Sequence, residues 1–272
     1  MNLFEEAAAR SADLEDRFDQ IRSTLTRSEW GFVEKFVRWV SHHGSVGINM
    51  RQSVLLAFLT TNEYQNIYEW AEFVSSVSHQ PSQDILRKRL GIYYERRTFF
   101  DDNFEGGQKF RYGTLITTGV GAILYGDYCT VLTDDARAHL ELAYLMRDSL
   151  KTYFLPGNKL DTKSLTEQIA VESVKHILAA IKLYREIPVT HESRWGALLC
   201  SKDDYLEAVF NGSIAAEDVK EVRLSKSDYD LYFYLAFDGF REKLDTATRA
   251  LIEGFAFIVK LANSKGIHLE VV

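Results

Sequence analysis

The chain has 272 residues, 46% of them hydrophobic, and its 17 Phe, 14 Tyr and 4 Trp supply a sizeable core, which excludes a wholly disordered protein. A formal net charge of -7 argues against sequence-independent nucleic-acid binding, which neutralises phosphates with Lys and Arg. The two cysteines, Cys129 and Cys200, stand far apart in apolar surroundings, which argues against a disulfide framework and a zinc site; both read as structural.

Met1 to Arg10 is acidic and Ala-rich with no apolar h-region, and no stretch approaches the ~20 apolar residues of a membrane span. The expected location is the cytoplasm, although an effector exported by a specialised machine would carry the same signature. Residues 3–40 read as two helices. Leu14, Phe18, Ile21 and Leu25 line one apolar stripe, and Ser28 is the expected N-cap of a second helix striped by Trp30, Val33, Val37 and Val40. Gly44-Ser45-Val46-Gly47 breaks the pattern, so residues 1–43 are expected to form a helical N-terminal extension and 44–272 an α+β domain. The two stripes imply docking on the core or on a second copy of the chain.

Val46 to Asn49 is a short strand, and a helix follows from about Gln52 to Phe73. Arg87-Lys88-Arg89 with Arg96-Arg97 is the one dense basic run and reads as a solvated helix face. From Gly91 to Leu132, aromatic residues, Gly and Thr replace helical periodicity, and Tyr112 to Thr117 and Tyr128 to Leu132 read as strands. Between them, Gly119-Val120-Gly121 lacks the third glycine and following helix of a dinucleotide fingerprint, so a hairpin connection is expected. Residues 161–186 read as one helix with a Ser164–Glu167 capping box and Pro188 beyond its end. Tyr205 to Phe210 is a strand that ends at the tight-turn dipeptide Asn211-Gly212, and Val222 to Leu224 is another. A last helix from about Leu244 to Asn263 stops near Gly266, before an alternating Ile267 to Val271. None of the seven histidines pairs with another ligand type at metal-binding spacing, so no metal is expected.

The segment Asp203-Asp204-Tyr205-Leu206-Glu207-Ala208-Val209-Phe210 carries the candidate chemistry. Alternation puts Leu206, Ala208 and Phe210 on one face and Tyr205, Glu207 and Val209 on the other. A strand carboxylate flanked by Tyr and Val on its own face either meets solvent or lines a cleft.

Residues 203–224, with this Glu on a strand, a turn, a short helical segment and a further strand, resemble the last motif of many mono-ADP-ribosyltransferases. A second resemblance, to a bacterial domain-of-unknown-function family, runs from residue 46 to the C-terminus. Its blocks are Ile48-Asn49-Met50-Arg51, Phe110-Arg111-Tyr112-Gly113-Thr114-Leu115, Tyr125-Gly126-Asp127-Tyr128, Asp148-Ser149, Tyr205-Leu206-Glu207-Ala208, Asp218-Val219 and Lys265-Gly266-Ile267-His268-Leu269. That family's Tyr-Arg-Ser-Gln-Phe-Glu-Thr segment corresponds to Tyr64-Gln65-Asn66-Ile67-Tyr68-Glu69-Trp70, where its Arg and Thr are missing.

The resemblances imply an α+β fold with a split, mixed or antiparallel sheet. They imply an NAD-dependent mono-ADP-ribosyltransferase acting on a macromolecular acceptor such as a protein, with NAD as co-substrate and Glu207 as the catalytic carboxylate. In that reading Arg51 holds the NAD pyrophosphate or ribose, because guanidinium binds phosphate in a fixed fork. Tyr112 stacks on the nicotinamide, with Gly113 and Thr114 beside it in the cofactor-binding segment. The rival expectation is a non-catalytic interaction module on a degenerate enzyme fold, suited to the aromatic surplus and the helical extension. Neither a membrane nor nucleic acid enters as partner, and an oligomer would form through the N-terminal helices.

Overall fold

A computed structural model of the chain describes residues 1–157, 159–237 and 244–272. The N-terminal 43 residues form three helices rather than two: α1 (Leu3–Ala9), α2 (Ser11–Thr24) and α3 (Arg27–His43). Asn2 caps α1 by accepting from the Phe4 and Glu5 amides. Helix α3 is capped by Thr26 and not Ser28: the Thr26 hydroxyl accepts from the Glu29 amide while the Glu29 carboxylate reaches back to the Thr26 amide.

Strand β1 (Ser45–Met50) follows as expected, but the next helix is two, α4 (Gln52–Thr61) and α5 (Ile67–Ser78). Asn62 turns left-handed at φ 64° to end α4, and Asn66 opens α5 with a capping box to Glu69. Helices α6 (Ser82–Leu90) and α7 (Tyr94–Asp102) precede β2 (Arg111–Ile116), β3 (Tyr128–Leu132), α8 (Asp134–His139), β4 (Glu141–Leu145) and α9 (Ser149–Thr152). A small hairpin, β5 (Phe154–Leu155) and β6 (Lys159–Leu160), leads to α10 (Thr162–Glu167), β7 (Ile169–Val171) and α11 (Lys175–Leu183). The expected single helix over 161–186 is thus interrupted by a strand, and its cap is Asp161, which accepts from the Ser164 amide. The remainder is α12 (Trp195–Leu199), β8 (Glu207–Asn211), β9 (Val219–Leu224), α13 (Lys226–Phe237), α14 (Thr246–Ser264) and β10 (His268–Val271).

The fold is α+β. Eight strands form one sheet in the order β10-β9-β3-β1-β2-β8-β4-β7, antiparallel except for the parallel β9–β10 pair. The sheet is continuous, not split, because β1 is hydrogen-bonded to β2 on one side and to β3 on the other. For the same reason the segment between β2 and β3 is not a hairpin: it must cross over β1.

Strand alternation divides the core in two. Val46, Ile48, Leu115, Tyr144, Ala208 and Phe210 face a large cluster with Val33, Phe36 and Val40 of α3, Leu55 and Phe58 of α4, Leu178 of α11 and Phe255 and Ile258 of α14. On the other face Ala143, Leu145 and Val209 meet Leu3 and Ala7 of α1, Phe100 of α7, and Phe104, Phe110, Tyr153 and Leu165. Both faces therefore draw on the first 43 residues. Cys129 is fully buried in β3, and burial pushes its thiol up to about 12. Cys200 caps the C-terminus of helix α12, and burial pushes its thiol up to about 11.

Candidate functional site

Glu207 opens β8 on the second face of the sheet. Register aligns it with Thr114 of β2 and Leu145 of β4. It is 4% exposed, so it is neither a solvent-facing residue nor one lining a wide cleft. Its Oε2 accepts from the Ser149 amide at 2.8 Å, and its Oε1 lies 3.6 Å from Nη2 of Arg97. Arg97, on α7, is itself buried and lies 3.6 Å over the centroid of the Tyr112 ring. Its Nη1 is 3.6 Å from Asp101 one turn along the helix. Asp101 is fully buried and accepts from the hydroxyls of Tyr68 and Tyr112.

A third buried carboxylate, Asp148, sits one residue from the amide that holds Glu207. It caps α9 through Leu150 N at 2.8 Å and accepts from the Tyr205 hydroxyl at 2.9 Å and the Tyr125 hydroxyl at 3.2 Å. The two tyrosine oxygens are 2.7 Å apart. Lys151 reaches Asp148 from the surface at 3.5 Å. Among the described residues, two buried polar atoms of this constellation have no hydrogen-bond partner, Ser149 Oγ and Arg97 Nη1, the latter keeping its ion-pair contact with Asp101.

Glu207 and Asp101 share the one buried guanidinium and Asp148 meets Lys151, so carboxylates outnumber cations three to two, and burial opposes their charge. Desolvation pushes Glu207 up to about 7, against the pull of Arg97 and with the help of Asp148. Asp101 is raised for the same first reason, although Arg97 and its two tyrosines oppose the shift. Burial works against the Arg97 charge, and Tyr112, Asp101 and Glu207 outweigh it, so the guanidinium stays protonated. Chemically, the site offers a carboxylate that can gain or lose a proton near neutrality, a fixed positive charge beside it, and several hydroxyls.

Of the residues singled out from the sequence, Tyr112 and Thr114 lie at Glu207. The Tyr112 ring, however, is covered by Arg97 and its hydroxyl is held by Asp101, so its stacking face is already occupied. Thr114 is buried in β2, with its hydroxyl 3.4 Å from the Gly47 carbonyl. Gly113 alternates to the opposite face, where a Cβ would meet the Gly47 carbonyl oxygen at 2.8 Å; its role is close strand packing. Arg51 is not brought to Glu207. It is exposed at the N-cap position of α4, four residues beyond Gly47, whose row contains Thr114 and Glu207; that is about 13 Å along β1.

Arg97 and Asp101 escaped the sequence reading because Arg96-Arg97 reads as part of a solvated basic run. The signal was present: Arg97, Phe100, Asp101 and Phe104 recur at helical spacing, so the ion pair lies on the apolar stripe of α7. Asp148, Ser149 and Tyr125 were visible only as resemblance blocks, whereas strand alternation already put Tyr205 on the face of Glu207. No protein-family model matches the chain, and no curated protein matches it.

Proposed function

We propose that the chain is an NAD-dependent ADP-ribosyltransferase-like enzyme whose centre is Glu207 with Arg97, in place of the Arg51 the sequence suggested. One observation carries the reading: a carboxylate 4% exposed, pushed to about 7, beside a buried arginine and two further carboxylates. Removing so many charges from water is a poor way to stabilise a fold. Perturbed, buried and paired titratable groups gather where chemistry is done. Elsewhere in this chain, Arg137 and Lys175 face Glu172 and Asp134 in equal number, the balance expected of a structural cluster.

The Ser149 Oγ, buried and without a hydrogen-bond partner among the described residues, suits a polar substrate.

In this reading Glu207 accepts a hydrogen bond from a ribose hydroxyl and stabilises the positive charge that grows as the bond from C1′ to nicotinamide breaks. The bonding pair leaves with nicotinamide, and the acceptor supplies a new pair to C1′. The acceptor's proton passes to a carboxylate poised near neutrality, the role Glu207 can fill. Arg97 holds Glu207 in place through Nη2, with Nη1 directed at Asp101. The substrate class would be NAD with a macromolecular acceptor. Glu207→Gln keeps the shape and removes the charge, so nicotinamide release from NAD should fall by roughly 10²–10⁴-fold. Equal activity in the variant would reject this residue; no NAD binding at millimolar concentration, with or without candidate acceptors, would reject the class.

A second reading, a non-catalytic interaction module, draws on Phe73 and Val77, which are 58% and 67% exposed one turn apart on α5. It predicts no nicotinamide release at all.

A further inference from the structure

The segment from Thr117 to Asp127 crosses the second face of β1 and is tied down at both ends. Asn49 of β1 donates to the Val120 carbonyl at 2.8 Å and to the Gly126 carbonyl at 2.9 Å. Arg223 of β9 donates to the carbonyls of Thr117 and Gly119. Gly126 packs so closely on β1 that a Cβ there would come within 2.1 Å of the Met50 carbonyl carbon. Between these anchors, Gly119 and Gly121 take positive φ, and Ile123, Leu124 and Tyr125 are each 44–45% exposed. From this tip the Tyr125 side chain reaches inward. The Tyr125 hydroxyl meets the buried Tyr205 hydroxyl and Oδ2 of Asp148.

Asp148 and Glu207 are then two carboxylates held by successive amides, Glu207 by that of Ser149 and Asp148 by that of Leu150, and the Ser149 hydroxyl is buried without a hydrogen-bond partner among the described residues. The first is met by a phenol from the surface, the second by Arg97. Both are hydrogen-bond acceptors, and each already has a cation at one side, Lys151 at Asp148 and Arg97 at Glu207. A pair of adjacent hydroxyls can donate to two such acceptors at once, and Tyr125 already supplies one hydroxyl in the position that one of the pair would take.

We infer that Asp148 is a second recognition carboxylate of this site, reading one hydroxyl of a ribose-type vicinal diol while Glu207 reads the other, and that Tyr125 is the latch the diol displaces. This rests on the NAD reading above for the ligand, and on the geometry of the loop for the latch. Asp148 is a specificity residue and Tyr125 a positioning one.

The test measures binding of NAD, and of its two analogues lacking one or the other hydroxyl of the nicotinamide ribose, to the full chain and to Asp148→Asn and Tyr125→Phe. Asn is as good an N-cap as Asp, so α9 keeps its start in the first variant. The wild type should prefer NAD to each analogue by roughly tenfold or more, as expected when a charge-assisted hydrogen bond is lost. Asp148→Asn should lose that preference for one analogue and keep it for the other. Tyr125→Phe should bind NAD a few-fold tighter and exchange its Ser149 amide hydrogen faster at an unchanged melting temperature. If Asp148→Asn discriminates against both analogues as the wild type does, Asp148 is not a reader, and the NAD reading stands without it. If NAD binds to none of the three proteins, the NAD reading fails and Asp148 loses its ligand. An unchanged Ser149 exchange rate in Tyr125→Phe removes the latch in either case.

Discussion

At Glu207 burial and charge pull in opposite directions, and the outcome is a carboxyl group at about 7 rather than near 4.5. Its proton is held more tightly in the folded than in the unfolded chain. Glu207 therefore contributes stability that is fully present below its unfolded value and lost as pH rises through about 7. Between pH 5 and 8 this should lower the wild-type melting temperature, and Glu207→Gln, which cannot ionise, should flatten the decline. Asp101, shifted in the same direction, remains in the variant, so some slope should persist. Identical slopes in the two proteins would mean that Glu207 titrates as a surface carboxylate.

Arg97 offers a complementary test. Arg97→Met leaves Asp101 and Glu207 buried without their guanidinium, and loss of one partner from a buried pair typically costs about 3–5 kcal/mol. Because both carboxyls can take up protons, the loss measured by urea unfolding should be smaller at pH 5 than at pH 8. The neighbouring Arg96, half-buried, donates to the Leu150 carbonyl, and Arg96→Met should cost about 1 kcal/mol. Equal costs for the two would return Arg97 to the solvated basic run of the sequence reading. Glu207 was legible because a strand alternates with period two. Arg97 was hidden because a long cationic chain beside another one usually extends into water.

Among the elements, local chemistry decided boundaries that periodicity could not. The apolar pattern over 52–73 is continuous enough for one helix, yet Asn62 and Asn66 end one and begin the next. Asn66 is buried. Its side chain accepts from the Tyr68 and Glu69 amides and donates to the Gln108 carbonyl. Asn66→Ala should therefore cost about 1–2 kcal/mol in thermal or chemical unfolding, at the upper end for a cap. A change below about 0.5 kcal/mol would show that α5 is held by packing alone. This helix also carries Tyr68, whose hydroxyl holds Asp101, so the cap helps to position the site.

Residues 161–186 teach the converse. Leu165, Ile169 and Val174 fit a helical stripe, but Ile169–Val171 pairs with Ala143–Leu145 of β4. The outer edge of β4 carries backbone groups that need partners, and a helix in this position would leave them unmade. Nothing within residues 161–186 announces that edge.

Across the molecule, the first 43 residues are part of the core. Leu3 and Ala7 complete the cluster under the sheet face that carries Glu207, and Val33, Phe36 and Val40 fill the other. Deleting residues 1–43 should strip cover from both faces, and the product should aggregate or lack a cooperative thermal transition; a monomer with an unchanged melting temperature would mean that these helices fold apart from the sheet. The α+β class, β1, β2, β3, β8, β9, β10 and the last helix could all be read from the sequence, because period-two and period-3.6 burial are properties of a segment and its own two faces. So could the placing of Glu207 on the opposite face from Ala208 and Phe210. The strand order, the break of 161–186 and the meeting of Arg97, Asp101, Asp148 and Tyr125 around Glu207 were decided only by tertiary structure. Each depends on which edge or charge arrives from a distant part of the chain, and the cost of burying a carboxylate is set by those arrivals, not by its neighbours in sequence.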